Sequence, residues 1–355
     1  MMNYRLTTII LLFGLIATAF VRCQFMDGGR PAIATVSFGS KLGTPGPHTP
    51  HGRLPNLAME ITFDQRNARV LVRQDNGHVV SWDLSTRKPQ RLATTDGLFA
   101  YCSKHQRLAV SGESHISIID GDTGAASLTI QGSYRYASWS DDCSRLALAD
   151  DESNAVELWS LAGPARLATF ETTMPVRNGI VLSGSAGHVI AALGTYSKAQ
   201  GHRTALEVFR IDKDTNLRVA LVNEHPVIHG MWRMVALRGS PSVIVGSQQD
   251  ARSGLSNIGL NDGAMMWKHR GFASYWVRAL ALSPDDQFLA TGDENGWLRV
   301  WNPGTGEKLY EGTTGLVIQS LAFSDNGRHL AAALWDSTIR IIEVDKLTAS
   351  KTLRP

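Results

Sequence analysis

Residues 279–301 read Ala279-Leu-Ala-Leu-Ser-Pro-Asp-Asp-Gln-Phe-Leu-Ala-Thr-Gly-Asp-Glu-Asn-Gly-Trp-Leu-Arg-Val-Trp301. A near-copy follows at residues 320–342, where the chain reads Ser320-Leu-Ala-Phe-Ser-Asp-Asn-Gly-Arg-His-Leu-Ala-Ala-Ala-Leu-Trp-Asp-Ser-Thr-Ile-Arg-Ile-Ile342. In both segments three short apolar runs are separated by turns rich in Ser, Asp, Asn and Gly. The third run alternates apolar and polar residues, which is typical of β-strands and not of helices. The pair therefore predicts an all-β chain built from one repeated unit.

The same order of runs and turns recurs along the chain. Five further copies run from Ile61 to Trp82, Phe99 to Ile119, Ala137 to Trp159, Val181 to Phe209 and Val235 to Ile258. The last residues of the seven copies are spaced by about 43 residues on average, within the ~40–45 expected for a four-stranded propeller blade. The sequence predicts a seven-bladed β-propeller of four-stranded antiparallel blades.

The ends of the copies resemble the WD-repeat β-propeller family. Trp82-Asp83 has the full Trp-Asp signature, Trp159-Ser160 and Trp301-Asn302 keep the tryptophan, and Ile119-Asp120 keeps the aspartate. The resemblance covers residues 57–344. It implies the propeller fold, with Trp82, Trp159 and Trp301 packed between blades. It assigns no particular function, because propellers carry many unrelated ones.

The ends of the predicted propeller need a closing strand. The strand-like run Ile33–Phe38 is expected to fill the outer position of the last blade, because a bare edge would leave backbone groups unpaired. Residues 347–353 offer a second possible outer strand. We therefore divide the chain into a signal peptide or membrane anchor (1–22), a linker containing the ring-closing strand (23–56, strand 33–38) and the propeller (57–355).

The N-terminal segment resembles a secretory signal. It has Arg5, a mostly apolar run over residues 6–21 and the small residues Ala17-Thr18-Ala19. The run is short for a membrane span, which needs roughly 20 residues. We expect an extracytoplasmic protein, periplasmic or secreted. Two alternatives stay open: an uncleaved anchor that contacts the membrane through residues 6–21, and a cytosolic protein whose translation starts at Met26.

Composition narrows the range of partners. The chain has 35 basic and 32 acidic residues, a net charge of +3, so it lacks the basic field that would hold nucleic acid. It contains three cysteines, too few for a disulfide framework. We predict no disulfide between Cys102 and Cys143, because the repeat alignment places them at different depths, one at a strand end and one in the next blade's turn.

Aromatic residues alternate with arginines at predicted loops. One set lies in the loops that join one blade to the next, and another lies at the turns between second and third strands. Both loop sets should open onto one face around the central channel, and their composition is enriched at protein interfaces. An alternative is that several of them only cap blade ends. The residues are Tyr134, Arg135, Tyr136, Trp232, Arg233, Tyr275, Trp276, Arg278, Trp297 and Trp335.

Two long turns are expected to project from the same face. Residues 194–204 extend the fourth copy and residues 246–256 extend the fifth. Loops held by a rigid scaffold often carry function. Lys198, His202, Arg203 and Arg252 would be their polar contacts.

Catalytic signatures are weak. We find no Ser/His/Asp set, phosphate-binding loop or metal-ligand spacing in the sequence, and predict no cofactor and no metal. Residues 259–268 resemble one shortened tryptophan-docking motif of quinoprotein-type propellers. The sequence predicts a non-catalytic scaffold that binds other proteins, in the envelope or in a membrane complex. The alternatives are a quinoprotein-like oxidoreductase or hydrolase with a site at the channel mouth, and a structural subunit of a membrane complex.

Overall fold

A computed structural model describes residues 35–37 and 57–348, apart from 65, 67, 87, 184–186, 198–200, 212–217, 222–230, 250–251 and 271–276. The predicted signal or anchor at residues 1–22 lies outside these ranges. Within them, the helical segments are all too short or too polar to pass through a membrane.

Seven four-stranded antiparallel sheets make up the fold, as the repeats predict. In chain order the strands begin with β1 (Thr35–Ser37), followed in blade 1 by β2 (Ala58–Asp64), β3 (Arg69–Gln74), β4 (His78–Asp83) and β5 (Pro89–Thr94). Blades 2 and 3 contain β6 (Phe99–Cys102), β7 (Arg107–Ser111), β8 (His115–Asp120), β9 (Ala126–Gln131), β10 (Tyr136–Trp139), β11 (Arg145–Ala149), β12 (Ala155–Ser160) and β13 (Ala165–Glu171).

The remaining blades follow the same order. Blades 4 and 5 contain β14 (Val176–Ser183), β15 (His188–Ser197), β16 (Gly201–Arg210), β17 (Arg218–Leu221), β18 (Met231–Ala236), β19 (Ser242–Gln249), β20 (Arg252–Gly259) and β21 (Met265–Arg270). Blades 6 and 7 contain β22 (Val277–Leu282), β23 (Leu289–Asp293), β24 (Trp297–Trp301), β25 (Lys308–Thr313), β26 (Ile318–Phe323), β27 (His329–Leu334) and β28 (Thr338–Glu343).

The ring closes through blade 7. Strand β26 contacts β22 of blade 6 on one side and β2 of blade 1 on the other. The outer position of blade 7 is taken by β1, which pairs antiparallel with β28 so that Thr35 lies opposite Arg340 and Ser37 opposite Thr338. The prediction of a ring-closing N-terminal strand is confirmed for residues 35–37. After β28 the chain forms a short helix, α1 (Val344–Thr348), so its first described residues do not form the alternative outer strand.

The hydrophobic core is divided among the contacts between blades. Among the described residues, the buried apolar side chains form seven clusters, and each cluster joins one pair of neighbouring blades. Trp82 lies in the cluster between blades 7 and 1, and Trp301 in the cluster between blades 5 and 6; both are buried. Trp159 packs half-buried against the cluster of blades 2 and 3. The predicted packing of these tryptophans is confirmed.

Second strands are pressed between two neighbouring blades, which explains their small residues. Gly292 in β23 shows this, because a Cβ built there would lie 2.4 Å from Cγ2 of Ile318 in blade 7. Gly296 has a different role. It turns the chain from β23 into β24 at φ +77°, a conformation that glycine adopts without steric cost.

The two long turns of blades 4 and 5 were predicted as loops, and this prediction is wrong for most of their length. Strands β15 and β16 pair as far as Ser197 and Gly201, while β19 and β20 pair as far as Gln249 and Arg252. The segments are extended β-hairpins, because backbone pairing continues beyond the blade. Their tips, including Lys198, lie outside the described residues.

Candidate functional site

Antiparallel blades give the ring two different ends. We call the end formed by the turns between first and second strands and between third and fourth strands the lower rim. The other end, formed by the turns between second and third strands and by the loops that join successive blades, is the upper rim. The described aromatic and arginine residues predicted to share a face lie on the upper rim.

A cavity of about 500 Å³ occupies the upper mouth of the central channel. Its wall comes from the first five blades, mainly from their innermost strands. The lining residues are Glu60, Arg73, Gly97, Leu98, Phe99, Arg135, Tyr136, Ala137, Gly179, Ile180, Val181, Arg233 and Met234. Three arginines and one carboxylate line the cavity, so its lining is basic.

The three arginines of the cavity have different partners. Arg73 pairs with Glu60 at 3.0 Å in blade 1. Arg135 is exposed and pairs through Nε with Asp151 at 2.9 Å. Arg233 donates from Nε to the carbonyl oxygen of Arg278 at 2.9 Å. Arg135 and Arg233 were predicted from sequence, and Arg73 was not.

Arg278 joins blades 6 and 7 beside this cavity. Its Nε donates to Glu294 at 2.7 Å and its Nη1 donates to Gln319 at 3.4 Å. The guanidinium carbon lies 5.8 Å from the ring centroid of Trp335, within cation–π range. Two predicted residues, Arg278 and Trp335, are therefore in contact on the upper rim, although they lie 57 positions apart in the chain.

Trp297 is exposed, with 38% of its surface accessible, which is unusual for so large an apolar side chain. The guanidinium of Arg299 lies 5.5 Å from its ring. Arg299 is held in turn by the buried Asp293 at 2.7 Å and by Glu311 at 2.6 Å. A buried ion pair therefore fixes the residue against which the exposed indole lies.

The two tyrosines are tied into the scaffold. Tyr134 donates its hydroxyl to Glu157 at 2.7 Å, and burial followed by this hydrogen bond raises the pKa of the phenol. Tyr136 donates its hydroxyl to the carbonyl oxygen of Arg177, which links blade 3 to blade 4. Their hydroxyls cap blade edges, as the alternative interpretation expects, while the ring of Tyr136 still lines the cavity.

Several predicted contact residues lie outside the described part of the chain, or are described there by their backbone. Tyr275 and Trp276 lie outside the described residues. The backbones of Trp232, His202, Arg203 and Arg252 lie in strands β18, β16 and β20, with Arg203 opposite Thr195 and Arg252 opposite Gln249. Their role in binding stays a prediction.

On the lower rim one type of turn recurs, and its polar side chains form hydrogen bonds within the turn itself. Ser140, Ser283 and Ser324 each donate to the Asp or Asn two residues ahead, at 2.6, 2.6 and 2.8 Å. Each serine hydroxyl also accepts from the backbone N–H five residues ahead, at 2.9–3.0 Å. This is the hydrogen bonding expected of Ser and Asp in turns.

One carboxylate of these turns, Asp142, is held ionised by hydrogen bonds. The side chain of Ser140 and the backbone of Ser144 lower the pKa of Asp142 to about 2. One ion pair crosses the lower mouth, where Nε of Arg238 in blade 5 lies 3.6 Å from Asp141 in blade 3. The lower rim is therefore occupied by contacts within the protein.

Cys102 and Cys143 form a disulfide, so the prediction that they stay unpaired is wrong. Cys102 ends β6 of blade 2, and Cys143 lies in the turn between β10 and β11 of blade 3. Their Cα atoms are 6.0 Å apart, within the usual range for a bridge. Packing of blades 2 and 3 brings the β10–β11 turn against the end of β6. The two cysteines therefore meet, although the repeat alignment places them at different positions of the blade.

The tryptophan of the docking-like motif has a structural contact. The indole of Trp267 in β21 donates to the carbonyl oxygen of Pro303 in blade 6 at 2.9 Å. His269 lies between the rings of Trp267 and Trp301, at centroid distances of 5.6 and 5.1 Å. The motif joins two blades at this position. Within the described ranges, no group of three or more His, Cys, Asp or Glu residues could hold a metal ion.

Sequence reasoning missed the acidic partners of the upper rim and two of its arginines, Arg73 and Arg299. The available signal was the presence of charged residues at the upper ends of otherwise apolar strands, as in Arg69-Val-Leu-Val-Arg-Gln74. Only the register of neighbouring strands shows which carboxylate each arginine meets. Glu60, for example, lies opposite Arg73 in the β2–β3 pair.

Comparison with known proteins supports the repeat assignment. The family model "WD domain, G-beta repeat" (WD40) matches residues 266–302 and 306–343. Each matched segment begins at or just before the outer strand of one blade and ends with the third strand of the next, so the sequence repeat is offset from the blade.

A curated relative is similar over part of the chain. The small ribosomal subunit protein RACK1z of Oryza sativa subsp. japonica is 36% identical over 80 residues, which cover 22% of this chain. The match spans about a quarter (24%) of that protein's length.

Solved structures share the fold at low identity. Kuenenia stuttgartiensis hydrazine synthase superposes with a TM-score of 0.66 at 13% identity, covering 86% of this chain and 99% of that one. The WD40 repeats of RRP9 superpose with a TM-score of 0.65 at 14% identity, covering 81% and 94%. Residues 266–302 and 306–343 match the WD40 repeat, and the described chain around them folds as a seven-bladed β-propeller.

Proposed function

We propose that this protein is a non-catalytic platform that binds other proteins through its upper rim. The observation that carries the proposal is the combination of an exposed tryptophan, two arginine–tryptophan contacts and an open cavity at one end of a rigid ring. Tryptophan, tyrosine and arginine dominate the binding energy of protein interfaces. The described turns of the lower rim contain arginines but no tryptophan or tyrosine.

The relatives are consistent with this assignment. RACK1z is named as a protein of the small ribosomal subunit. We extend to this chain the role of a WD40 propeller that binds other proteins. The similarity to hydrazine synthase is a similarity of fold and assigns no reaction.

The test compares capture of partners by the full chain and by two variants. Trp297→Ala with Trp335→Ala removes both indoles of the upper rim. Met266→Ala is the matched control, because Met266 is 64% exposed on the outer strand β21 of blade 5. We expect the tryptophan variant to lose proteins that the parent and the control both capture, as identified by mass spectrometry.

Melting temperatures decide how that result is interpreted. A double-tryptophan variant that melts with the parent and captures the same proteins would contradict the proposal. If the double variant unfolds, Trp297→Ala alone replaces it, because this side chain is partly exposed and its loss leaves the buried Arg299–Asp293 pair intact.

We further propose that the propeller lies outside the cytoplasm, secreted, periplasmic or tethered through residues 6–21. The support is the signal-like segment at residues 1–22 together with the Cys102–Cys143 disulfide, since disulfides persist mainly in oxidising compartments. Partners would then belong to the envelope or to a membrane complex. N-terminal sequencing of the native protein tests this. A chain that begins at Met26 and has both thiols open to alkylation without reductant would contradict the proposal.

The oxidoreductase or hydrolase alternative stays a prediction. The absorption spectrum of the purified native protein checks its oxidoreductase form, because a bound quinone would absorb in the visible or near-ultraviolet.

A further inference from the structure

The cavity at the upper mouth differs in charge from the lower mouth. Arg73, Arg135 and Arg233 line it against the single carboxylate of Glu60. At the lower mouth, Asp141 and Asp286 face Arg238. Asp151 pairs with Arg135, so these groups at the upper mouth comprise three arginines and two carboxylates, whereas at the lower mouth two carboxylates face Arg238.

Two of the arginines have donors to offer a ligand. The guanidinium of Arg233 makes no ion pair with any described residue, and its one hydrogen bond to the described chain goes to a backbone carbonyl through Nε. Arg135 uses Nε for Asp151, and its side chain is 65% exposed. In both cases the terminal nitrogens are the part of the fork that can hold a carboxylate by two parallel bonds.

The wall beside these arginines is open. Gly97 and Gly179 lie on the rim of the cavity in blades 2 and 4, and a Cβ built at either position would meet no atom within 4 Å. A backbone can therefore approach the wall closely at both points. Phe99 and Tyr136 supply apolar surface between them. The volume of about 500 Å³ falls within the ~300–1,000 Å³ of typical ligand sites.

The placement of the arginines favours an extended ligand with several charges. Arg73, Arg135 and Arg233 come from blades 1, 3 and 5, on different sides of the ring. A single small anion bonds to groups that converge on one point. Carboxylates spaced along a peptide can reach separate arginines, while the peptide backbone passes Gly97 and Gly179.

We infer that the upper mouth receives an acidic peptide segment of the partner protein, whose carboxylates bind Arg135 and Arg233. This inference rests on the proposed function and names the chemistry of the partner. Arg73 pairs with Glu60 at 3.0 Å and its side chain is only 16% exposed, so it is less accessible to the peptide than Arg135. The Tyr136 hydroxyl, bonded to the carbonyl of Arg177, keeps the ring in place beside the site.

The experiment measures the binding of fluorescent peptides to the full chain by anisotropy. The probe is a labelled Glu/Gly/Ser peptide, compared with Gln/Gly/Ser and Lys/Gly/Ser peptides of equal length. We expect saturable binding of the glutamate peptide only, weakened by added salt because the charges are exposed. Arg135→Gln and Arg233→Gln should each weaken it about tenfold, the size typical of a hydrogen-bonded charge pair.

Arg328→Gln is the matched control, because Arg328 is exposed in a turn of the lower rim and removes the same charge. It should leave the affinity unchanged. Equal weakening by Arg328→Gln would overturn the inference, since it would show attraction by net charge alone. Inorganic phosphate serves as a competitor. Displacement of the peptide by phosphate at matching affinity would instead assign the site to small anions.

The outcomes separate this inference from the proposed function. If the glutamate peptide fails to bind while the parent chain still captures proteins through Trp297 and Trp335, the acidic-segment inference is wrong and the platform proposal stands. If capture through the tryptophans also fails, both are wrong.

Discussion

The lower and upper rims are built by the same seven repeats, yet their side chains bond differently. At the lower rim, Ser283 and Asp285 bond to each other and to their own turn, so the turn is complete without a ligand. At the upper rim, Arg135 and Arg233 point into an open channel mouth, each held through Nε. The lower turns thus complete their own hydrogen bonds, whereas two arginines of the upper rim keep terminal nitrogens that we propose bind a partner.

Loop geometry accounts for the difference. The lower turns are tight, and their fourth residue is left-handed, as in Cys143 at φ +56° and Asp286 at φ +56°. Few sequences satisfy such a turn, which explains why Ser recurs at its first position. The upper loops join separate blades and are closed by threonines such as Thr95 and Thr314, whose hydroxyls donate to Leu98 and Leu316. The hydrogen bonds of these loops therefore centre on threonine hydroxyls and backbone groups, not on a Ser–Asp pair.

The largest expected loss of stability comes from Arg299→Ala on the upper rim. The side chains of Arg299 and Asp293 are 5% and 2% exposed, so loss of the arginine leaves a buried carboxylate with one fewer cation. We expect the free energy of unfolding to fall by about 3–5 kcal/mol, measured by urea denaturation. Arg340→Ala is the matched control, because Arg340 has the same repeat position in blade 7 and forms no ion pair with the described residues. Equal losses in both variants would show that the ion pair is not the cause.

The disulfide offers a test confined to the lower rim. The bridge closes a loop of 41 residues in sequence separation between blades 2 and 3, so reduction should lower the free energy of unfolding by about 2–4 kcal/mol. The urea midpoint is measured with and without reductant. Cys102→Ala with Cys143→Ala should match the reduced parent and ignore reductant. A parent midpoint that does not move on reduction would contradict the assignment.

A single serine tests how strongly a lower turn depends on its own hydrogen bonds. Ser283→Ala removes the acceptor of the Phe288 N–H and the donor to Asp285. We expect a loss of about 1–2 kcal/mol in the free energy of unfolding, because the half-buried N–H of Phe288 loses its acceptor. Ser133→Ala is the control, since Ser133 is exposed in an upper loop and its hydroxyl has no hydrogen bond within the described chain. An unchanged urea midpoint in Ser283→Ala would show that the hydrogen bonds of this turn do not stabilise the fold.

The smallest expected effect is the pH dependence of the same turns. Hydrogen bonds from Ser140 and Ser144 lower the pKa of Asp142 to about 2 from an ordinary value of 3.8. A pKa lower in the folded state means that the ionised carboxylate stabilises the fold above pH 3.8, and that this contribution is lost as the pH falls towards 2. The side chain is exposed, so we expect less than about 1 kcal/mol.

Blade 7 supplies the control for this titration, because Asn326 occupies the equivalent position and does not titrate. Asp142→Asn should reduce the loss of stability between pH 4 and 2, as followed by the melting temperature. If the melting temperature of Asp142→Asn falls between pH 4 and 2 as much as that of the parent, other carboxylates cause the loss of stability.

The fold could be predicted from sequence more completely than the site. Trp82 and Trp301 end copies of one pattern, and the period of that pattern gives the number of blades. Trp335 could be assigned to a face by counting turns. Its contact with Arg278 could not, because that depends on the twist and separation of blades 6 and 7. The same reason explains the error over Cys102 and Cys143, which an alignment of repeats treats as unrelated positions.

Local sequence is enough to predict the all-β class, the seven units, the ring-closing strand near residue 35 and the face on which Arg135, Trp297 and Trp335 lie. These follow from local periodicity and turn chemistry, which act over a few residues. The folded ring is needed to see which groups meet: the disulfide between blades 2 and 3, the pairing of Arg299 with Asp293, and the basic cavity lined by blades 1 to 5. Such contacts depend on how separate blades pack against one another, which no single repeat encodes.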